Sequence, residues 1–193
     1  MSKITRDSLM SLETYARERA ALRARIIPHR RQRSVALGEH INLQFEDEQT
    51  VRYQIQEMLR IEKIFEEDGI REEIQVYGPL VPDGANWKAT MLIEYTDEAQ
   101  RRAELARLVD IENRIWVRVA GHDKVFSIAD EDLDRSTDDK TSAVHFLRFE
   151  LAPAMVAAAK SGQAIAMGVD HPNYAVSLEL PEPTRQALVA DLA

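Results

Sequence analysis

The chain has 193 residues, a formal charge of −8, 45% hydrophobic and 30% charged residues, and no cysteine. That length supports a hydrophobic core without staples, and the missing cysteine excludes disulfides, thiolate metal sites and a cysteine nucleophile. No apolar run approaches the ~18 residues of a membrane span, and the opening MSKITRDSLM lacks an apolar signal core, so a cytoplasmic location is expected.

Thr5 or Asp7 can cap a first helix to about Tyr15, and the Arg/Ala segment 16–32 continues it. Pro28 should kink or end that helix, because proline has no amide donor. Residues 1–34 hold nine Lys/Arg against three Asp/Glu, giving +6, so the remainder carries −14. Such a basic arm can bind nucleic acid, its own body or a sister subunit. The absence of aromatic side chains for base stacking in 16–33 weighs against nucleic acid.

Residues 33–37 and 41–45 alternate like strands, joined by Gly38-Glu39-His40 as a hairpin loop. Asp47 or Glu48 can cap a long helix over 48–67, which Asp68-Gly69 breaks before a shorter helix over 70–77. Pro79, Pro82 and Gly84 mark a loop. The run 87–95 is half alternating and half continuously apolar, which predicts a central strand. Asp97 caps a helix over 98–110. Residues 115–120 and 125–129 form a second hairpin, followed by an acidic loop. Residues 142–151 alternate strictly, and Pro153 opens a short helix to Lys160. The last strands are 164–170 and 174–180, with Pro181 and Pro183 stopping the sheet before a short C-terminal helix. Hairpins mixed with crossovers predict an α+β fold, with a mixed, largely antiparallel sheet, helices on one face and an N-terminal helical arm. The expected division is a basic helical arm, 1–33, and a single α+β domain, 34–193.

The stretches ITRDSL (4–9), VALGEHINLQFE (35–46), TVRYQIQEMLRIEKI (50–64), ATMLIEY (89–95) and VDHPNYAVSLEL (169–180) occur in this order. Together they resemble an uncharacterised bacterial family filed as a domain of unknown function, number three thousand five hundred and one. The likeness runs from about residue 3 to residue 180. Genes of that family commonly lie beside rubrerythrin-like proteins and iron–sulfur oxidoreductases of the heterodisulfide-reductase type. The resemblance therefore implies a link to redox or peroxide defence and a redox-protein partner. It implies no mechanism.

Wound at 100° per residue, the helix over 48–67 puts Val51, Ile55, Met58, Leu59, Ile61 and Phe65 within an arc of roughly 160°. Glu62 falls at its centre, and a carboxylate facing a core must be paired. An arginine from the sheet, Arg148 foremost, is the plain partner; a metal or proton-handling role is the sharper one. Glu57 lies on the other side with Arg60 three residues on, an exposed surface pair, although the likeness to the family's central motif includes both. Glu62, Glu57 and Arg60 are thus the catalytic candidates.

Among five histidines, none stands in a zinc-helix spacing. His122 and His29 read as solvated or part of the basic arm. His40 and His171 sit at hairpin tips, and His145 shares the apolar face of its strand with Ala143, Leu147 and Phe149. Glu62 with His40, His145 or His171 would suit a transition metal such as zinc, iron or manganese. The acidic run 130–139 lacks the glycine and the glutamate of a calcium loop and reads as solvated. Phosphate-loop, dinucleotide-loop, nucleophile-elbow and di-iron patterns are all missing.

The favoured function is an accessory or binding protein of a cytoplasmic redox system, acting as a homodimer. The alternative is a small metal-dependent oxidoreductase or hydrolase, and nucleic-acid binding through the arm is the outsider.

Overall fold

A computed structural model describes residues 4–193 and gives an α+β protein built on two antiparallel sheets. After a single 3-10 turn at Arg6–Ser8, helix α1 (Leu12–Gln32) starts at Ser11, whose hydroxyl accepts the Thr14 amide. The expected break at Pro28 does not occur: α1 runs four residues past it. Strands β1 (Ser34–Leu37) and β2 (Ile41–Phe45) form the predicted hairpin. Gly38 turns it with φ +74, and a Cβ there would meet the Tyr174 hydroxyl at 2.4 Å. That hydroxyl donates to the Leu37 carbonyl and accepts the His40 amide, fastening the hairpin to the second sheet.

Helix α2 (Glu48–Glu62) is followed by α3 (Glu67–Tyr77). The expected single helix to residue 67 ends at Glu62, because Lys63 turns left-handed at φ 57. Strand β3 (Asn86–Ile93) is central, between β2 and β7 (Val144–Glu150). Helix α4 (Glu98–Arg107), capped by Asp97, leads to β4 (Ile115–Val119).

The expected second hairpin strand splits in two. Val125–Phe126 (β5) pairs with β4, whereas Ile128–Ala129 (β6) crosses to β7 in the other sheet. Ser127 is the hinge between sheets: its buried hydroxyl donates to the carbonyls of Glu112, at 2.5 Å, and Ile115. Helix α5 (Pro153–Lys160), β8 (Ile165–His171), β9 (Tyr174–Glu179) and α6 (Glu182–Val189) complete the chain. The sheets run β1-β2-β3-β7-β6 and β5-β4-β8-β9. One sheet was expected; the strands divide between two, the chain changing sheet between β3 and β4, at Ser127, and between β7 and β8.

The inward residues of alternating strands fill the main core, with Trp87, Phe45 and Phe149 its largest fully buried members. Trp87 also donates to the Leu188 carbonyl at 2.8 Å, which docks α6. A second core joins Ile4 and Leu9 to Val51, Ile55 and Leu59 of α2 and Ile70 of α3. The N-terminal segment is thus packed into a helical layer. Where β8 meets β4 and β9, a Cβ on Gly168 would lie 2.5 Å from both the Trp116 ring and the Val176 carbonyl oxygen. Gly168→Ala should cost about 1–3 kcal/mol by overpacking, read as a lowered urea midpoint. An unchanged midpoint would mean that the two strands part freely there.

Candidate cleft between the first two helices

Helix α2 is laid out to hold α1. Asp47 caps it by accepting the Thr50 amide at 2.9 Å, while the Thr50 hydroxyl accepts the Asp47 amide. Val51, Ile55 and Leu59 then recur every four residues and bury one stripe. On the adjoining face, buried Gln56 grips the backbone of Met10, accepting its amide at 2.6 Å and donating to its carbonyl at 3.4 Å.

Next to it, Glu57 accepts from Tyr15 Oη and Arg19 Nε, each at 2.7 Å, and from a second Arg19 nitrogen at 2.8 Å. Arg60 adds two contacts at 3.3 Å. The Arg19 fork, outweighing burial and aided by Tyr15 and Arg60, holds the Glu57 carboxyl down at about 2. Burial, and then the bond to Glu57, push the Tyr15 phenol well above its usual range. The predicted Glu57–Arg60 pair is present, but its expected exposure is corrected: only 14% of the Glu57 side chain is open. The reason is that α1 lies across that face of α2.

The far end of α1 is held independently. His29 Nε2 lies 2.6 Å from Asp47 Oδ2, and Arg33 Nε lies 3.0 Å from the same oxygen. Arg33 also donates to both oxygens of Asp191, at 2.8 and 2.5 Å, and to the Ala187 carbonyl. Burial alone would favour loss of the Arg33 charge. The bond to Asp191 and the charges of Asp191, Asp47 and Glu46 outweigh it and keep the guanidinium charged. From Arg19 to His29, α1 spans ten residues, about 15 Å at the helical rise. Over that span only Ile26 is buried and Leu22 half-buried. A cavity of about 730 Å³ opens there. Tyr15, Tyr53, Gln49, Gln56, Arg25 and Arg52 give it hydroxyls, amides and cations, Asp47, Glu48 and Asp191 give it carboxylates, and Met10, Leu22, Ile26, Val81 and Pro82 give it apolar wall. Arg52 pairs with Glu48 one turn away, and Arg30 lies over the Tyr53 ring at 5.7 Å.

The expected group of Glu62 with histidines is not brought together. Glu62 is exposed, as are Ile61 and Phe65, at 59% and 73%. Its angle around the helix is that of the apolar stripe, but it is the last residue of α2 and stays open to solvent, with its charge felt by Glu73 and Tyr77 of α3. Its expected partner Arg148 pairs with Glu131 and Glu150 instead. His40 lies at the hairpin tip, 3.0 Å from the Glu94 carbonyl and stacked on Tyr95. His171 accepts the Asn173 amide at Nδ1 and so donates from Nε2 to the Val109 carbonyl at 3.0 Å.

His145 is fully buried, as its strand face requires. Its Nδ1 lies 2.6 Å from Asp130, and its Nε2 faces the Thr141 hydroxyl at 2.8 Å and the Ser142 carbonyl at 3.0 Å. Thr141 in turn donates to buried Glu112. This network pins the 130–143 loop, which is therefore not simply solvated: Asp130 takes the Phe146 amide, and Arg135 joins Asp130 to Asp132. Among the described residues, no three His, Asp or Glu stand where they could hold a metal ion.

Tyr15, Arg19, Gln56, Arg33 and Asp191 were not among the expected site residues, and Asp47 was expected only as a helix cap. A signal existed for part of this set. Tyr15, Leu22 and Ile26 recur at seven and four residues and mark the inward face of the arm. Nothing in the spacing of Arg33 and Asp191, 158 residues apart, could have joined them.

Comparison with known proteins identifies a family whose sequence model, described as Protein of unknown function (DUF3501), matches residues 3–192. A crystal structure of a novel protein of unknown function from Burkholderia pseudomallei is similar at 54% identity, with a TM-score of 0.95 and 100% of both chains covered. No curated protein matches.

Proposed function

The chain belongs to the family described as Protein of unknown function (DUF3501), and from that premise we propose that it is an accessory or binding protein whose ligand enters the cleft beneath α1. The cleft of about 730 Å³ carries this reading, since pockets for small ligands are of this size, largely preformed, and mix apolar wall with a few placed polar groups. The two ends of α1 are fixed by ion pairs, at Glu57 and at Asp47 with Asp191. Among the described residues its middle makes no such pair, so the opening is held at a set width. In this reading α1, within the basic arm 1–33, roofs the site and the domain 34–193 supplies its floor. The family resemblance supports a redox protein of the cytoplasm as the system served.

Titration with an anionic naphthalene-sulfonate dye tests the cleft. Dye binding should saturate at one site and shift the amide resonances of Arg25, Gln49 and Tyr53. Leu22→Trp, which fills the cavity from α1, should abolish binding without lowering the unfolding midpoint. Binding unchanged in that variant, or no saturable binding at all, rejects the cleft as a site.

A further inference from the structure

We propose that the outer face of α1 pairs antiparallel with the same face of a second copy of this chain. Two cations on the inner side of α1 are paired within the chain, Arg19 with Glu57 and Arg33 with Asp47 and Asp191, while Arg25 faces the cleft and Arg30 the Tyr53 ring. On the outer side Arg17 acts on Glu13 one turn away, and among the described residues Arg17, Arg23 and Arg31 have no carboxylate within salt-bridge distance. Glu13, Arg17, Ala20, Ala24, Ile27 and Arg31 are all exposed, Ile27 by 47%. They follow one another at alternating steps of four and three, the seam of a helix pair.

The charges on this seam complement themselves only when the two helices run antiparallel. A two-fold axis level with residue 22 sets Glu13 against Arg31 of the second copy, and Arg31 against its Glu13. It also sets Ala20 against Ala24, where small side chains permit the close end of the usual 8–10 Å helix spacing. Ile27 then lies along the aliphatic stem of Arg17, which can cover apolar surface while its head stays in water. A parallel pairing would instead stack Glu13 on Glu13 and Arg31 on Arg31. The face points away from the cleft, so this inference stands independently of the proposed function. A single helix pair lies at the small end of specific interfaces, under about 1,200 Å², so dissociation on the order of micromolar is expected.

The chain has no cysteine, so introduced thiols report on register directly. An oxidised mixture of Ala20→Cys and Ala24→Cys proteins should give a covalent dimer joining residue 20 to residue 24. Each variant alone should give little, because two copies of residue 20 are offset by about 6 Å along the axis, beyond bridging reach once added to the helix spacing. In sedimentation equilibrium, Ala24→Glu should weaken association by about tenfold or more, since each tenfold is only 1.4 kcal/mol. Added salt should weaken the wild-type dimer. The proposal is overturned by a monomer at 100-fold the expected constant, by crosslinking equal in all three samples, or by a basic face that binds duplex DNA in place of a second copy.

Discussion

Replacing Arg33 by methionine should destabilise the protein by about 3–5 kcal/mol, the cost of leaving buried charge without its partner. Arg33 is 3% exposed, and it joins the end of α1 to the cap of α2 and to Asp191 after α6. Methionine fills the volume but strands Asp191, whose carboxyl is already pushed up by burial despite the Arg33 bond. Arg33→Lys should recover little, since an ammonium cannot present the planar fork that grips both oxygens of Asp191. The double variant Arg33→Met, Asp191→Leu should regain part of the loss, because it removes the stranded charge. Urea unfolding gives the energies, and amide exchange over 182–192 shows whether α6 is released first. A loss under about 1 kcal/mol, the range of exposed pairs, would mean that the bridge is open in solution.

Glu57→Gln should cost about 2–3 kcal/mol at neutral pH. This is less than the full lowering of its carboxyl from 4.5 to about 2 would give, because Arg19 and Arg60 are partly solvated. The sign of the pH dependence follows from the direction of that shift. A carboxyl held low in the folded state adds stability that is complete above its unfolded value near 4.5 and is lost as pH falls toward about 2. The gap between wild type and variant should therefore be widest at neutral pH and should narrow through that window. Comparing the two proteins at each pH removes the contribution of the other carboxylates. A gap that does not change with pH would show that Arg19 does not hold Glu57 in solution. The variant also tests the roof of the cleft: with Glu57 neutral, Tyr15 and Arg19 lose their anchor, and amide exchange in the first half of α1 should speed up while its second half, held by Arg33, stays protected.

Glu57 and Glu62 show why one carboxylate was misjudged in each direction. A helical wheel gives the angle of a side chain but not what lies at its height. Glu62 has the angle of the core but ends its helix open to solvent; Glu57 has an outward angle, but another helix lies across it. The second outcome depends on where α1 docks. The same holds for strand 125–129, whose pattern is continuous while its pairing changes sheet at Ser127.

The sequence by itself determined the α+β class, the starts of α2, α4 and α5, the β1–β2 hairpin, the central place of β3 and the inward face of His145. These rest on local chemistry: capping side chains, glycine at a positive φ, and alternation along a strand, each settled within a few residues. It also determined the family, through stretches spread over almost the whole chain. Only the tertiary structure decided the two-sheet division, the run of α1 through Pro28, the anchoring of Arg33 to Asp191 and the cleft between α1 and α2. Those depend on which elements meet. Burial and charge pairing are set by neighbours distant in the chain, and no local pattern carries that information.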